Sequence, residues 1–212
     1  MAENYLTIKE VGSSTLIIKK SEFICYLART NTEEEARDFL AFITNEHRKA
    51  NHHCFAYTLG LNDEIQRESD NGEPSGTAGV PILEVLKNNQ LHNVTAVVVR
   101  YFGGIKLGTG GLIRAYSSAV SQAIQEIGIV KRVLQTEITC SIDYPLLGKL
   151  QNYLENQDYY TVDTQYTEQV AVTVAVDTEK VDPFQAEIFN LLNAQVTFTI
   201  GNNVYHEIPV KI

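Results

Sequence analysis

No stretch of the 212-residue sequence approaches the roughly 18–20 consecutive apolar residues that a membrane-crossing helix requires. Nor is the opening Met-Ala-Glu-Asn-Tyr a basic segment followed by an apolar one. A membrane-spanning or secreted protein is therefore not expected. Cysteine is scarce: Cys25, Cys54 and Cys140 are odd in number, far apart and without a Cys-x-x-Cys pair. That excludes a disulfide framework and a zinc ribbon, and predicts a reducing, cytoplasmic location. Positive charge is short as well, with 17 Lys and Arg against 26 Asp and Glu and a net charge of −9. Bulk attraction to phosphate backbones is absent, so any nucleic-acid contact has to come from a local basic patch. Divided near Val130, the chain carries 12 basic against 15 acidic residues before that point and 5 against 11 after it, hence −3 and −6. The second part is the poorer anion binder. Internal repeats are missing too. What is present, 44% hydrophobic and 20% charged residues, is the composition of a folded globular protein.

Tyr5 to Ile8, Thr15 to Lys19 and Phe23 to Ala28 are rich in β-branched and aromatic residues and separated by Gly12-Ser13 and Lys20-Ser21, which predicts an antiparallel meander. Thr32 with Glu35 forms a capping box, and Ala36, Phe39, Leu40 and Ile43 recur at helical spacing, predicting a helix from Thr32 to about Lys49. Cys54 to Leu59 reads as a strand. A polar loop follows, and then a short helix beginning near Pro81, whose fixed φ suits a first turn. Val94 to Phe102 is almost wholly apolar and β-branched, the pattern of a strand buried on both faces. It runs into glycines, after which Leu112, Ala115, Tyr116, Ala119, Val120, Ala123, Ile124 and Ile127 mark a helix from Thr109 to about Glu126.

Past Lys131 the order becomes strand Leu134 to Ile142, helix Pro145 to Asn156, strands Tyr159 to Gln165 and Val170 to Val176, helix Pro183 to Asn193 and strand Val196 to Ile200. This β-α-β-β-α-β succession matches the ferredoxin-like split βαβ sandwich. Val204 to Ile212 reads as a further strand at an edge, where Pro209 is tolerated. The overall class is α+β, with an N-terminal α/β domain over residues 1–130 and a ferredoxin-like C-terminal domain over 131–212.

The strongest chemical signal is Gly103-Gly104-Ile105-Lys106-Leu107-Gly108-Thr109-Gly110-Gly111, lying between a buried strand and a helix start. Glycines let backbone N–H groups approach a ligand, and the helix N-terminus adds partial positive charge, so the junction can cradle an anion. Lys106 and Arg114 sit at the unfavourable end of the helix dipole unless an anion lies between them. Arg100, Gly103, Gly104, Lys106, Gly108, Thr109, Gly110, Gly111 and Arg114 are the candidate anion-binding residues. The alternative is that these glycines serve close packing of helix on sheet. The spacing is neither a Walker motif nor a Rossmann fingerprint, which excludes P-loop nucleotide hydrolysis.

The second cluster is Glu68-Ser69-Asp70-Asn71-Gly72-Glu73-Pro74-Ser75-Gly76-Thr77-Ala78-Gly79. Asp70 and Glu73 are candidates for acid and base, but two carboxylates without a third acid are too few for a hard-metal site, and Asp70-Asn71-Gly72 is also ordinary turn chemistry. His52 and Cys54 fall on one face of a strand and His53 on the other. Cys54 with His52 is a candidate nucleophile and base, although a strand cysteine is commonly a small buried hydrophobe. His47 and His206 read as surface residues. No metal and no cofactor are expected.

Three segments together resemble the IMPACT/YigZ family: His52-x-Cys54-x-Ala56-Tyr57, Asp70-x-Gly72-Glu73-Pro74-x-Gly76-Thr77-Ala78-Gly79-x-Pro81, and Val97-Val98-Val99-Arg100-Tyr101-Phe102-Gly103-Gly104 continuing to Ala115-Tyr116. The resemblance implies an N-terminal domain similar to domain IV of elongation factor G and a C-terminal domain similar to its domain V, as in bacterial two-domain members. The family motif commonly reads Asp-Asp-Gly-Glu-Pro, and here Asn71 replaces the second acid. The eukaryotic namesake restrains a translational-stress kinase with the help of an additional N-terminal domain, which is not expected here. A two-metal peptidase site needs several carboxylates and a histidine together, and no such set is identifiable.

The expected function is a non-enzymatic cytoplasmic regulator linked to translation, binding RNA, the ribosome or another phosphate-bearing partner through the glycine-rich loop. One alternative is an enzyme acting on a phosphorylated small molecule through Asp70 or Glu73. The other is a protein-binding adapter using exposed residues of the C-terminal sheet such as Tyr159, Thr161 and Thr173.

Overall fold

The computed structural model describes residues 4–210. The chain forms two compact units, Tyr5–Lys131 with residues 208–210, and Arg132–Glu207 with Asn4. The first contains the strands Tyr5–Ile8 (β1), Gly12–Ile18 (β2) and Ser21–Arg29 (β3), the helix Glu33–Glu46 (α1), and the strands His52–Leu59 (β4) and Ile65–Ser69 (β5). The helix Gly79–Asn88 (α2), the strand Val94–Tyr101 (β6) and the helix Thr109–Ile127 (α3) complete it. Its antiparallel sheet runs β2-β3-β6-β4-β5. β6 is buried up to Arg100, as its uninterrupted apolar run requires, because helices cover both sheet faces.

On one face Ile82, Val85 and Leu86 of α2 and Leu112, Ala115, Tyr116 and Ala119 of α3 pack on Phe23, Cys25, Cys54, Ala56 and Val98. Burying an Ile82 or Leu86 side chain contributes about 1.5–3 kcal/mol, and the alanines let α3 lie close to the strands. On the other face Ile43, Phe39 and Leu40 of α1 cover Val97, Val99 and Tyr26. The capping box forms in a modified way: Thr32 Oγ1 accepts the Glu35 N–H at 3.2 Å, while the Glu35 carboxylate reaches back to Asn31 N at 2.7 Å.

Several expectations change. The opening is not one meander, since β1 leaves the sheet of β2 and β3 and pairs with the strand Ile129–Ile142 (β7). A strand β5 occupies what read as polar loop; its pairing with β4 compensates a polar sequence that carries no strand periodicity. Phe102 lies outside β6 and is 46% exposed, and α1 stops at Glu46 rather than Lys49. Helix α2 begins at Gly79, with Pro81 in its first turn.

The second unit follows β7 with a 3₁₀ turn Tyr144–Leu146, the helix Leu147–Asn156 (α4), strands Tyr160–Tyr166 (β8) and Val170–Asp177 (β9), the helix Val181–Leu191 (α5) and the strand Thr197–Val210 (β10). The order β10-β7-β9-β8 makes the ferredoxin-like β-α-β-β-α-β arrangement. Where two terminal strands were expected, β10 is one strand of 14 residues carrying Pro209; Lys211 and Ile212 lie outside the described residues. Tyr159 is not on the exposed sheet face: it precedes β8 and packs edge-on against Phe184, with ring centroids 5.0 Å apart. Tyr160 and Tyr166 are exposed aromatics at the two ends of β8, Tyr160 next to a bulge at Thr161/Asp163. His206 is half-buried, 3.5 Å from Glu137. No helix among the described residues is long and apolar enough to cross a membrane.

Candidate functional site

Two loops of the first unit lie at the same end of the paired strands β4 and β6. The first spans residues 70–79 and is organised by Asp70, whose Oδ1 accepts N–H bonds from Ala78 and Gly79 at 2.9 Å each, while Oδ2 accepts one from Gly76 at 2.8 Å. Asp70 thus caps α2 from eight and nine residues away, a task the sequence spacing does not reveal. Partial burial pushes its carboxyl upward, but the N–H groups of Gly79, Gly76, Ala78 and Thr77 outweigh that and hold it below the ordinary carboxylate value. Both oxygens are engaged, so Asp70 is a structural anion rather than an acid or base.

This has a pH consequence. The folded-state value lies below the unfolded one, so the stabilisation is present above about pH 4 and is lost as the pH falls through the lowered folded value. Asp70→Asn is expected to cost about 1.5–3 kcal/mol at pH 7. Urea unfolding should show the gap between variant and wild type closing as the pH falls through that lowered value.

Beneath the loop lies a buried polar cluster. The Glu73 side chain is 4% exposed, and its Oε1 accepts from Arg100 Nη1 at 2.5 Å and from the Tyr116 hydroxyl at 2.9 Å. Arg100 also donates to Ser21 Oγ at 3.5 Å and lies over the rings of Phe23 and Phe102, at 5.2 and 5.5 Å from their centroids. Cys54 donates its thiol hydrogen to the Asp70 carbonyl at 2.9 Å and sits 3.3 Å from the Tyr116 hydroxyl. Burial pushes this thiol up to about 12, only partly offset by the Tyr116 hydroxyl, so at neutral pH no thiolate forms. Burial, reinforced by Cys54 and Glu73, likewise raises Tyr116 well above its ordinary value. His52 donates from Nδ1 to the Asn71 carbonyl at 2.9 Å, and its Nε2 lies 3.8 Å from Glu73 Oε1. His53 points to the opposite face, where its Nε2 meets the carbonyl of His47 at 3.0 Å. His47 itself is half-buried rather than a surface residue, bridging the hydroxyls of Tyr26 (2.6 Å) and Tyr101 (2.9 Å).

Arg100 therefore stands apart from the exposed Lys106 and Arg114, with its charge committed to Glu73. In the glycine-rich loop the two readings of the glycines divide by position. A Cβ on Gly103 would lie 2.0 Å from the Lys20 carbonyl carbon, so Gly103 is required by the contact with the β2–β3 turn. Gly104 and Gly108, at φ +83° and +72°, would meet nothing, and they serve the backbone path. Ser21 Oγ ties the loop root down by accepting the Gly103 N–H at 3.1 Å.

Helix α3 starts after Gly108 with no side-chain cap and no acid in its first turn. Lys106 and Arg114 flank that start, exposed, and neither makes a hydrogen bond or ion pair among the described residues. The helix start and the two cations together give this surface a positive local charge. Sequence reasoning missed Tyr116, hidden in an apolar helical stripe, Lys19, which read as a strand end, and Lys20 and Ser21, which read only as a turn. The one available signal was a tyrosine among alanines and aliphatics on a core-facing stripe.

The Impact N-terminal domain family matches residues 19–124, the span that holds both loops and the buried cluster. A Bacillus subtilis protein called IMPACT family member YvyE is 44% identical over 211 residues, covering 100% of this chain and 97% of its own length. The chain belongs to the IMPACT family. Escherichia coli IMPACT family member YigZ is 40% identical over 173 residues, covering 81% of this chain and 85% of itself. A solved crystal structure described as a hypothetical protein is 35% identical, with a TM-score of 0.61 and coverage of 93% and 97% of the two chains. Residues 140–195 match a domain of unknown function, DUF1949, so this IMPACT protein has the two-domain α/β organisation of its bacterial relatives.

Proposed function

We propose that this IMPACT protein is a non-enzymatic regulator linked to translation, which holds a phosphate-bearing partner, RNA or the ribosome, at the glycine-rich loop. The observation that carries this reading is the uncapped, acid-free N-terminus of α3 flanked by Lys106 and Arg114, two exposed cations without partners among the described residues. The translational link comes from the resemblance of the first domain to domain IV of elongation factor G. The enzyme alternative is left with few groups: both Asp70 oxygens are occupied, the Cys54 thiol stays protonated, and Glu73 is neutralised by Arg100.

The test is co-sedimentation of the purified protein with ribosomes across a salt series, beside the variant Lys106→Glu/Arg114→Glu. Binding through two or three phosphates should fall with a log–log salt slope of about 2–3. The variant is expected to bind at least about 10-fold more weakly at low salt, since each lost contact is replaced by repulsion. Unchanged pelleting of the variant would remove the loop as the anion site.

A further inference from the structure

The contact at Gly103 joins the glycine-rich loop to the β2–β3 turn, because the Gly103 backbone lies against Lys20 and Ser21 with no room for a Cβ. That turn is Lys19-Lys20, and both residues have positive φ, +47° and +66°. Ile18 pairs directly with Ser21, so the turn is a two-residue hairpin loop, in which Asn-Gly adopts positive φ at little strain and lysine does not. Both lysines are exposed, and neither side chain makes a hydrogen bond or ion pair among the described residues. The fold therefore sets Lys19 and Lys20 on one side of a seam and Lys106 and Arg114 on the other. This is the local basic patch that a chain of net charge −9 needs to touch nucleic acid. Glu22, the next acid along β3, takes the opposite sheet face with Ile24 and Tyr26.

At the root of the seam stands Phe102, 46% exposed. Its N–H is held by Asn51 Oδ1 at 2.8 Å, and one ring face is covered by the Arg100 guanidinium at 5.5 Å, itself fixed by Glu73. Almost half of the residue stays in solvent, and Ile105 and Ile113 are exposed nearby in the chain. Under the seam Arg100, its side chain 6% exposed, has an Nε that finds no acceptor among the described residues. An exposed aromatic ring adjoining a loop and a turn that carry cations is the arrangement that takes unstacked bases and a single phosphate chain; a duplex keeps its bases stacked and offers such a ring nothing.

We propose that the phosphate-bearing partner is single-stranded RNA, laid across the seam with phosphates on Lys19, Lys20, Lys106 and Arg114 and a base stacked on Phe102. This rests on the anion-binding reading of the glycine-rich loop and narrows its partner to one class. The strained lysine turn is then a binding device, held in place because charge at the turn tip is what the site uses.

The test is fluorescence anisotropy of the full-length protein with a labelled 12-mer oligouridylate and with an RNA duplex of equal length. Single strand is expected to bind at least 10-fold more tightly than duplex. Phe102→Ala should weaken single-strand binding by about 5- to 100-fold and Phe102→Tyr should restore it. Lys19→Asn/Lys20→Gly should reduce the single-strand salt slope by about 1.4, two contacts at about 0.7 each, while raising Tm by about 2–4 °C through relief of the turn. That opposite movement separates a binding role from a structural one.

Equal binding of both RNAs with Phe102→Ala silent would overturn the single-strand assignment. The anion reading would survive if Lys106→Glu/Arg114→Glu still weakened both. Loop-dependent ribosome binding with no affinity for either RNA would point to a ribosomal protein and overturn the proposal alone. Absence of both would overturn it together with the reading beneath it.

Discussion

Glu73→Ala is expected to destabilise the first domain by about 3–5 kcal/mol, because it leaves the Arg100 guanidinium buried and unpaired. Arg100→Ala should cost a similar amount for the mirror reason, stranding the carboxylate against Tyr116. Neither number measures what the pair contributes, since two charges had to leave water to form it. The control is Glu73→Gln/Arg100→Met, which removes both charges while keeping most of the volume. It should be destabilised far less than the sum of the two single variants, and a double-mutant cycle by urea unfolding reads the difference. A Glu73→Ala variant within about 1 kcal/mol of wild type would mean that water or a rearranged Arg100 satisfies the charge, and the cluster would not be the rigid floor of the two loops.

Gly103→Ala is the second large effect. A Cβ there would stand 2.0 Å from the Lys20 carbonyl carbon and 2.5 Å from Ser21 N, both backbone, so the turn and the loop have to separate. We expect a loss of about 2–3 kcal/mol, at the upper end of overpacking costs. The same substitution elsewhere in the loop should behave otherwise. Gly104→Ala meets no atom but keeps a left-handed φ of +83°, costing about 1–2 kcal/mol. Gly110→Ala lies in the first turn of α3 with only Arg114 Nη1 at 3.7 Å, and should be neutral or stabilising by up to about 1 kcal/mol. Thermal melts of the three variants test this order. If Gly103→Ala were as mild as Gly104→Ala, the close approach of loop and turn would not exist, and the seam with it.

Much of the architecture was readable from local pattern. The uninterrupted run in β6 announced a strand covered on both faces, the Ala-rich stripe announced α3, and the succession after Lys131 announced the ferredoxin-like sheet. Those features are periodicities, and burial acts on them residue by residue. β5 was not readable, because Ile65–Ser69 is polar and gains its conformation from pairing with β4. The departure of β1 to pair with β7 was not readable either, since strand partners are chosen by loop closure and packing rather than by the strand's own sequence.

The site divides in the same way. Composition, spacing and the glycine-rich junction by themselves determined that this chain is a two-part α+β protein with a glycine-rich loop before a helix start, and named Lys106 and Arg114 beside it. Only the tertiary structure decided that Asp70 is a distant helix cap, that Arg100 is turned inward onto Glu73, which Tyr116 also bonds, and that Lys20 and Ser21 stand against Gly103. The reason is one of range. A helix dipole and a glycine's freedom belong to a few consecutive residues, whereas a carboxylate's role depends on which donor the fold brings within 3 Å, and the partners of Asp70 and Glu73 come from up to 43 positions away in the chain.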